Sequence, residues 1–273
     1  MGQALEGVSG YATHPAATFT ALTMGGSDSA AVRSFPGDQK AYLLSQWGYT
    51  QVIGNFRIRS PRLHDNVQGI RIRTAATQAD PAIWGGHALQ PLYSQDTLIM
   101  EVNAPTDAAG NLEYGAALIY YPSLNGVAAN LISPDQLKKL AQHRIGQDVP
   151  VTTGAGGGYT GQVAINSSVD NFQANLWYAI EGVVVDTKCA AVRIQGVDIG
   201  NLGVLIPGAV ATPELTGRWF VALSEKYGLP LIPCFNSANK AGILIAVAQD
   251  QAAAAVNVTI NMVLLGPTIT PGQ

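Results

Sequence analysis

The amino-acid sequence predicts an all-β fold made of two tandem β-sandwich domains with short inserted and linking helices. Short apolar runs separated by glycine and proline indicate many strands, one pair of these runs recurs late in the chain, and each copy closes one half of the sequence. The chain has 273 residues, which suits two domains of ordinary size. We therefore expect a first domain over residues 1–145, with an N-terminal arm and a linking helix, and a second domain over residues 146–273.

The recurring element is segment 98–122, LIMEVNAPTDAAGNLEYGAALIYYP, and its second copy is segment 243–267, ILIAVAQDQAAAAVNVTINMVLLGP. Aligned without a gap, each copy contains an apolar run, a loop rich in Ala, a second apolar run and a closing proline. The identical aligned pairs are Val102/Val247, Ala108/Ala253, Ala109/Ala254 and Pro122/Pro267. We expect each copy to form two antiparallel strands, a hairpin that closes one sandwich.

The N-terminal region carries weaker signals. Residues 1–33 are rich in Gly, Ala, Ser and Thr without sustained periodicity, which predicts an extended arm with one short strand over 17–23. A frayed terminus is an equal alternative. Residues 36–47, followed by Gly48, predict a short helix.

Two predicted strands, 50–60 and 68–74, contain a cluster of arginines in the first half. Arginine alternates with apolar residues in both strands, so pairing of the strands places the arginines on one face. With one more arginine in the connecting turn, the interface candidates are Arg57, Arg59, Arg62, Arg71 and Arg73. Five of the 15 basic residues therefore lie in this hairpin.

This arginine cluster has two interpretations. The first is a solvated or carboxylate-paired sheet face, which is the commoner role of surface charge. The second is a contact with acidic groups of a neighbouring subunit, or with nucleic-acid or lipid phosphate.

Two helices are marked by their ends. Ser133 as N-cap, Pro134 at the first position and Gln136 as the partner in a capping box predict a helix that ends before Gly146. The domain boundary is placed at this helix. Thr212 as N-cap begins a second predicted helix that ends at Gly228.

Composition restricts the class of protein. Charged residues make up 12% of the chain, against about 25% in a typical soluble domain. Such a surface is poorly protected against association, so we expect much of it to contact partners. The net charge of −3 argues against binding nucleic acid through bulk charge. The uncharged end of the chain alternates polar and apolar residues, which indicates a strand and no membrane span, and the first ten residues do not resemble a secretory signal.

No motif predicts chemistry. The segment GAGGGY at 154–159 lacks the last glycine of a dinucleotide fingerprint, and Ser237-Ala-Asn-Lys240 lacks the helix and the partner motif of penicillin-recognising enzymes. The four histidines are scattered at spacings that suit no metal site, and Cys189 and Cys234 fit small buried hydrophobes. We therefore expect no enzyme, no cofactor, no metal site and no small-molecule substrate.

The layout of the chain resembles the double-jelly-roll major capsid proteins of icosahedral viruses, including those of tailless phages. Two β-rich halves, a linking helix at Ser133, a helix at Thr212 inserted before the last strands, low charge and no catalytic motif carry the resemblance. It implies two eight-stranded jelly rolls, a homotrimer and an icosahedral shell. One departure is that residues 147–189 predict only two or three strands, where the family has about four.

The resemblance implies a structural virion protein that is assembled in the host cytoplasm and found in the capsid. Its expected partners are further copies of itself, other virion proteins, and nucleic acid or lipid beneath the shell. The alternative is a carbohydrate- or surface-binding β-sandwich protein of lectin or fibre type, for which Trp84 in a loop is the candidate aromatic platform. A hydrolase on a β-scaffold ranks third.

Overall fold

The structure of the protein is a computed structural model. It describes residues 2–13, 18–23, 32–34, 40–61, 67–74, 81–83, 89–93, 97–106, 111–124, 129–152, 158–185, 189–208, 213–248 and 255–271. In this part of the chain strands predominate and helices are short, so the all-β class is confirmed.

The first half consists of ten strands within the described residues. They are β1 (Gly2–Thr13), β2 (Thr20–Ala21), β3 (Val32–Ser34), β4 (Ala41–Tyr49), β5 (Gly54–Arg59), β6 (Ile70–Thr74), β7 (Ala82–Ile83), β8 (Gln90–Leu92), β9 (Thr97–Asn103) and β10 (Leu112–Leu124). They form two antiparallel sheets. Sheet I has the order β1-β10-β4, and β4 pairs further with β7 and β8, whereas sheet II has the order β2-β9-β5-β6 with β3 also paired to β9.

The second half adds nine strands and three short α-helices to the described fold. The strands are β11 (Asn130–Ile132), β12 (His143–Val151), β13 (Val163–Ala164), β14 (Trp177–Val185), β15 (Ala191–Gly196), β16 (Gly200–Pro207), β17 (Ile232–Asn236), β18 (Leu244–Ala248) and β19 (Val256–Gly266). The helices are α1 (Pro134–Leu140), α2 (Pro213–Gly217) and α3 (Trp219–Tyr227), and a 3-10 helix spans Ser237–Gly242. Sheet III has the order β11-β17-β14-β19-β12, and sheet IV has the order β13-β18-β15-β16.

The two halves share one strand order. Sheet I reads β1-β10-β4-β8 and sheet III reads β12-β19-β14-β17, while sheet II reads β2-β9-β5-β6 and sheet IV reads β13-β18-β15-β16. Strands β3, β7 and β11 have no counterpart in this comparison. The register matches as well: Glu101 lies opposite Arg57 in sheet II, and the aligned residue Ala246 lies opposite Arg193 in sheet IV. The repetition seen in the sequence is therefore a repetition of structure.

The repeated element differs from the expected hairpin. Strand β9 lies in sheet II and β10 lies in sheet I, and in the second copy β18 lies in sheet IV and β19 in sheet III. Each copy thus crosses from one sheet of its half to the other, so the hairpin prediction is wrong. A hairpin needs both strands in the same sheet, and the loop between these strands is long enough to change sheets.

Each sheet pair encloses apolar side chains, and sheet I is buried on both faces. Its inner face packs on sheet II through residues such as Ile119 and Phe56, which are fully buried. Its outer face packs on the second half, where the Trp47 and Trp219 rings meet edge to face at 5.9 Å. The two halves therefore share a continuous core.

Two expectations for the N-terminal region are wrong. Residues 2–13 are not an arm, because β1 pairs along its length with β10. Residues 41–49 are not helical but form β4, which is buried on both faces. A strand with two buried faces loses the alternation of polar and apolar residues, and its sequence becomes hard to distinguish from that of a helix.

The helices begin as predicted but end earlier or are broken. Helix α1 has the expected capping box of Ser133 and Gln136, yet it ends at Leu140, and β12 follows from His143. The expected domain boundary between residues 145 and 146 falls inside β12. Strand β10 is the last strand of sheets I and II, and β11 is the first strand of sheets III and IV, so the chain passes from one pair of sheets to the other between β10 and β11. The second predicted helix is divided into α2 and α3 at Arg218, with Gly228 as its left-handed end; Thr212 lies outside the described residues.

Candidate interaction surface

The predicted arginines lie on the outer face of sheet II. We call Arg57, Arg59, Arg71 and Arg73 the arginine face; Arg62 lies outside the described residues. Strands β5 and β6 pair, as the sequence predicted, and the register places Arg57 opposite Arg71. The apolar residues that alternate with the arginines of β5, Phe56 and Ile58, are buried in the core between sheets I and II.

Glu101 on β9 is a partner that the sequence did not reveal. Its carboxylate accepts hydrogen bonds from Arg57 Nε at 2.6 Å and from Arg59 Nε at 2.7 Å, and its second oxygen accepts from an Arg59 Nη at 2.9 Å. The Glu101 side chain is only 9% exposed. Burial acts to raise the pKa of Glu101, but the hydrogen bonds from Arg59 and Arg57 outweigh burial, and the pKa lies below its ordinary value.

Arg71 and Arg73, on the edge strand β6, are exposed. The Arg71 guanidinium donates to the backbone and side-chain oxygens of Gln68. Arg73 makes no hydrogen bond or ion pair with the residues that the structure describes. The two strands of the hairpin thus differ, because the β5 arginines are neutralised within the fold and the β6 arginines point to solvent.

Phe19, just before β2, completes the arginine face. Its ring centroid lies 3.8 Å from the Arg57 guanidinium carbon and 5.2 Å from that of Arg71. A guanidinium over an aromatic ring is a favourable cation–π contact. The ring therefore holds two of the four arginines side by side, and no local signal in the sequence pointed to it.

A second polar cluster lies where the two halves meet. The Tyr159 hydroxyl is 2.7 Å from Ser9 Oγ and 3.0 Å from the Tyr114 hydroxyl, and the Arg193 guanidinium carbon is 5.8 Å from the Tyr159 ring centroid. Burial raises the pKa of both Tyr114 and Tyr159. The tyrosines therefore stay neutral and connect sheet IV to the outer face of sheet I.

The chemistry available on the arginine face is binding. Two of its four guanidinium groups bind the Glu101 carboxylate and the other two are exposed, and guanidinium groups bind carboxylates and phosphates through paired hydrogen bonds. Within the described residues no group of three or more His, Cys, Asp or Glu side chains is arranged to hold a metal ion. No helix in the described part of the chain is long and apolar enough to cross a membrane.

The Ser237 to Lys240 motif has a structural role. The Ser237 hydroxyl donates to the Gln173 carbonyl at 2.7 Å and accepts from the Leu176 amide at 3.1 Å. Lys240 Nζ binds the Asp170 carboxylate. Both functional groups are thereby held in contacts that stabilise the fold around the 3-10 helix.

No protein-family model matches the sequence, and no curated protein does. Among solved structures, the chain is similar to the major capsid protein P2 from Bacteriophage PM2, with 8% identity, a TM-score of 0.22, and coverage of 98% of this chain and 99% of that chain. It is also similar to the PBSX exported protein XepA, with 12% identity and a TM-score of 0.22, over 94% of this chain and 86% of that chain. TM-scores this low carry no argument, so a functional assignment has to depend on strand order and contacts.

Proposed function

We propose that this chain is a structural virion protein, a major capsid protein of two tandem jelly-roll domains that self-assembles into an icosahedral shell, with trimers as its building unit. The virion is then its location, reached after assembly in the host cytoplasm. The observation that carries the proposal is the strand order shared by the two halves.

That order supports the jelly-roll part of the proposal. When the eight strands of each half that match between halves are numbered along the chain, sheets I and III both read 1-8-3-6, and sheets II and IV both read 2-7-4-5. An eight-stranded double-sheet sandwich with Greek-key connections is the jelly-roll architecture, which is common in viral capsids. The second half reaches eight strands, β12 to β19, which supports a complete second jelly roll despite the short count expected over residues 147–189.

The surface composition also supports a shell protein. Only 12% of the residues are charged, and a protein that repeats the same contacts on several sides needs few charges to stay soluble once those contacts are made. The arginine face, with Arg62 in the connecting turn, is the candidate contact with a neighbouring subunit, with another virion protein, or with phosphate groups of nucleic acid or lipid beneath the shell.

The alternative function, carbohydrate or surface binding, is not favoured by the tryptophans of the described residues. A sugar site usually presents an exposed aromatic platform. Trp47 and Trp219 are fully buried, Trp177 is half-buried, and Trp84 lies outside the described residues.

Size-exclusion chromatography with light scattering, followed by negative-stain microscopy of the concentrated protein, tests the proposal. We expect trimers that associate further into closed shells of uniform diameter. A protein that remains monomeric at high concentration, over a range of ionic strengths, would contradict it.

A further inference from the structure

The outer face of sheet II arranges its polar side chains in rows that cross the strands. In one row Arg71 of β6 lies opposite Arg57 of β5, which lies opposite Glu101 of β9. In the next row Arg73 of β6 lies opposite Asn55 of β5. The face therefore has a column of two arginines on its edge strand, with an amide side chain beside the second of them.

The arginine face carries a surplus of positive charge. Within the described strands of sheet II, Glu101 is the only acidic residue, against four guanidinium groups. Its carboxylate is shared by Arg57 and Arg59, at 2.6 and 2.7 Å. Three positive charges remain in excess on this face of a chain whose net charge is −3. A local surplus of this kind attracts an anionic partner although the chain as a whole is acidic.

The surplus is concentrated on β6. Arg71 and Arg73 are both exposed, and two residues of one strand lie about 7 Å apart along it. Arg73 makes no hydrogen bond or ion pair with the residues that the structure describes. The Arg71 guanidinium donates to two oxygens of Gln68, in the turn before β6. Because a guanidinium has five N–H donors, Arg71 keeps donors for a ligand while Gln68 fixes its position.

We propose that the arginine face binds single-stranded nucleic acid, with phosphate groups on Arg71 and Arg73. Guanidinium groups bind phosphates through paired N–H donors. The two arginines follow one another along an extended strand, so they present repeated cationic groups to a chain of repeated anionic groups. The inference names one partner for the face that the proposed capsid function leaves with several.

The neighbouring side chains fit the bases of a nucleic acid. Asn55 is half-buried next to Arg73 and has an amide, which can donate to and accept from base edges. Phe19 is half-buried, with its ring centroid 3.8 Å from the Arg57 guanidinium carbon. Aromatic rings and guanidinium planes are the groups on which unpaired bases stack.

The same face is less suited to a lipid surface. Proteins that lie on a bilayer insert exposed apolar side chains between the headgroups. Within the described strands of sheet II no large apolar side chain is exposed, and the exposed Val67 lies in the turn before β6. The face therefore offers charge, amide and aromatic groups in the combination that binds a single strand.

Repetition of the site strengthens a contact that is weak in one chain. Two phosphates bound per chain give low affinity, but a shell presents the same two arginines on every copy. One strand can then bind several copies at once, and the effective concentration of each further site is high. This step rests on the proposed self-assembly, so binding to assembled protein should be tighter than binding to unassembled protein.

Binding of a fluorescein-labelled oligothymidylate to the full chain tests the inference, measured by fluorescence anisotropy of unassembled protein over a range of salt concentrations. Arg71→Gln combined with Arg73→Gln should raise the dissociation constant by about tenfold or more at low salt. The slope of log K against log salt should become shallower by about 0.7 for each arginine lost. Both side chains are exposed, so unfolding curves should match that of the wild type.

Lys138→Gln combined with Lys139→Gln is the matched control. It removes the same charge from α1, where both side chains are exposed, and it should bind the oligonucleotide like the wild type. The inference is overturned if the arginine variant binds like the wild type or if the lysine variant loses as much affinity. Tighter binding to vesicles that contain anionic phospholipid than to the oligonucleotide would also overturn it and assign the face to lipid.

Negative-stain microscopy of the same proteins separates this inference from the capsid proposal. If the wild type forms shells but does not bind the oligonucleotide, the nucleic-acid inference is wrong and the capsid proposal stands. If the wild type binds the oligonucleotide through these arginines but stays monomeric, the site is confirmed and the capsid proposal is wrong. If the arginine variant binds like the wild type and no longer assembles, the face is a contact between copies and the inference is overturned.

Discussion

Arg57 of β5 and Arg193 of β15 occupy the same position in the two halves of the protein, but they face different residues. Glu101 lies opposite Arg57, whereas Ala246 lies opposite Arg193. The first arginine is held by a carboxylate of its own sheet pair. The second lies near the Tyr159 ring, where sheet IV packs on sheet I. The same position of the repeat therefore binds a carboxylate within the first half and lies at the contact between the halves in the second.

Replacing Glu101 with Gln should destabilise the first half. The amide keeps the shape of the side chain but leaves the Arg57 and Arg59 guanidinium groups without their shared counter-ion. We expect the free energy of unfolding at neutral pH to fall by about 1–3 kcal/mol, measured by urea denaturation of unassembled protein. Asp135→Asn, which removes a carboxylate from the exposed pair with Lys138 and from the first turn of α1, should lower stability by only about 0.5 kcal/mol or less.

The effect of Glu101→Gln should depend on pH. Because the pKa of Glu101 is lowered in the folded protein, its stabilisation is complete above the unfolded carboxyl pKa of about 4.3 and is lost as the pH falls through the folded pKa. The stability difference between wild type and variant should therefore shrink in acid. A difference that is constant down to acidic pH would refute the charge-pair explanation.

Replacing Tyr159 with Phe should loosen the contact between sheets IV and I. The change removes one hydroxyl but leaves Ser9 Oγ and the Tyr114 hydroxyl buried without it. We expect a loss of about 1–3 kcal/mol in unfolding free energy, measured by chemical denaturation. Tyr93→Phe is the matched control, because Tyr93 is 46% exposed, and it should be neutral. Equal stability of Tyr159→Phe and Tyr93→Phe would mean that the cluster does not connect the halves energetically.

Gly7 should not accept a side chain. A Cβ atom there would lie 2.2 Å from Leu205 Cγ, so Gly7→Ala should cost about 1–3 kcal/mol through overpacking. Combined with Leu205→Ala, the two changes should cost less than the sum of the single changes, because the shorter side chain at 205 removes the clash and the new methyl group at 7 fills part of the cavity. Gly161→Ala is the control, since its Cβ would meet nothing within 4 Å. Additive costs in a thermal-unfolding cycle would contradict the close packing of β1 on β16.

Ser133→Ala should weaken α1. Ser133 Oγ accepts from the Gln136 amide, and the Gln136 side chain accepts from the Ser133 amide. Loss of such a cap costs about 1 kcal/mol, and circular dichroism during denaturation can measure it. Ser133→Asp keeps an acceptor at this position and should retain the stability of the wild type; equal losses in both variants would rule out capping as the cause.

Features with a local cause could be predicted from the sequence. The cap of α1 depends on residues three positions apart, and the β5–β6 pair shows strict alternation because only one face of each strand is buried. The repeated element could be recognised because its two copies have the same length. That each copy crosses from one sheet to the other could not be predicted, because strand pairing depends on partners far along the chain.

Features that depend on distant residues were missed for the same reason. Glu101 and Phe19 approach the arginines only because β9 and the segment before β2 lie beside β5 in space. Strand β4 gave no alternating pattern because both of its faces are covered, by sheet II and by the second half. A single sequence shows the composition of a strand but not the number of layers that surround it.

The pairing of β1 with β10 has a consequence for protein synthesis. Gly2–Thr13 leave the ribosome long before Leu112–Leu124 and find their partner only when that segment has followed, and β12 must likewise wait for β19. Each half can close only after its last strand has been made, so folding proceeds through contacts of long sequence separation and is expected to be slow. Nascent chains stalled before residue 112 should remain fully sensitive to protease, whereas chains that extend well past residue 124 should protect their N-terminal half.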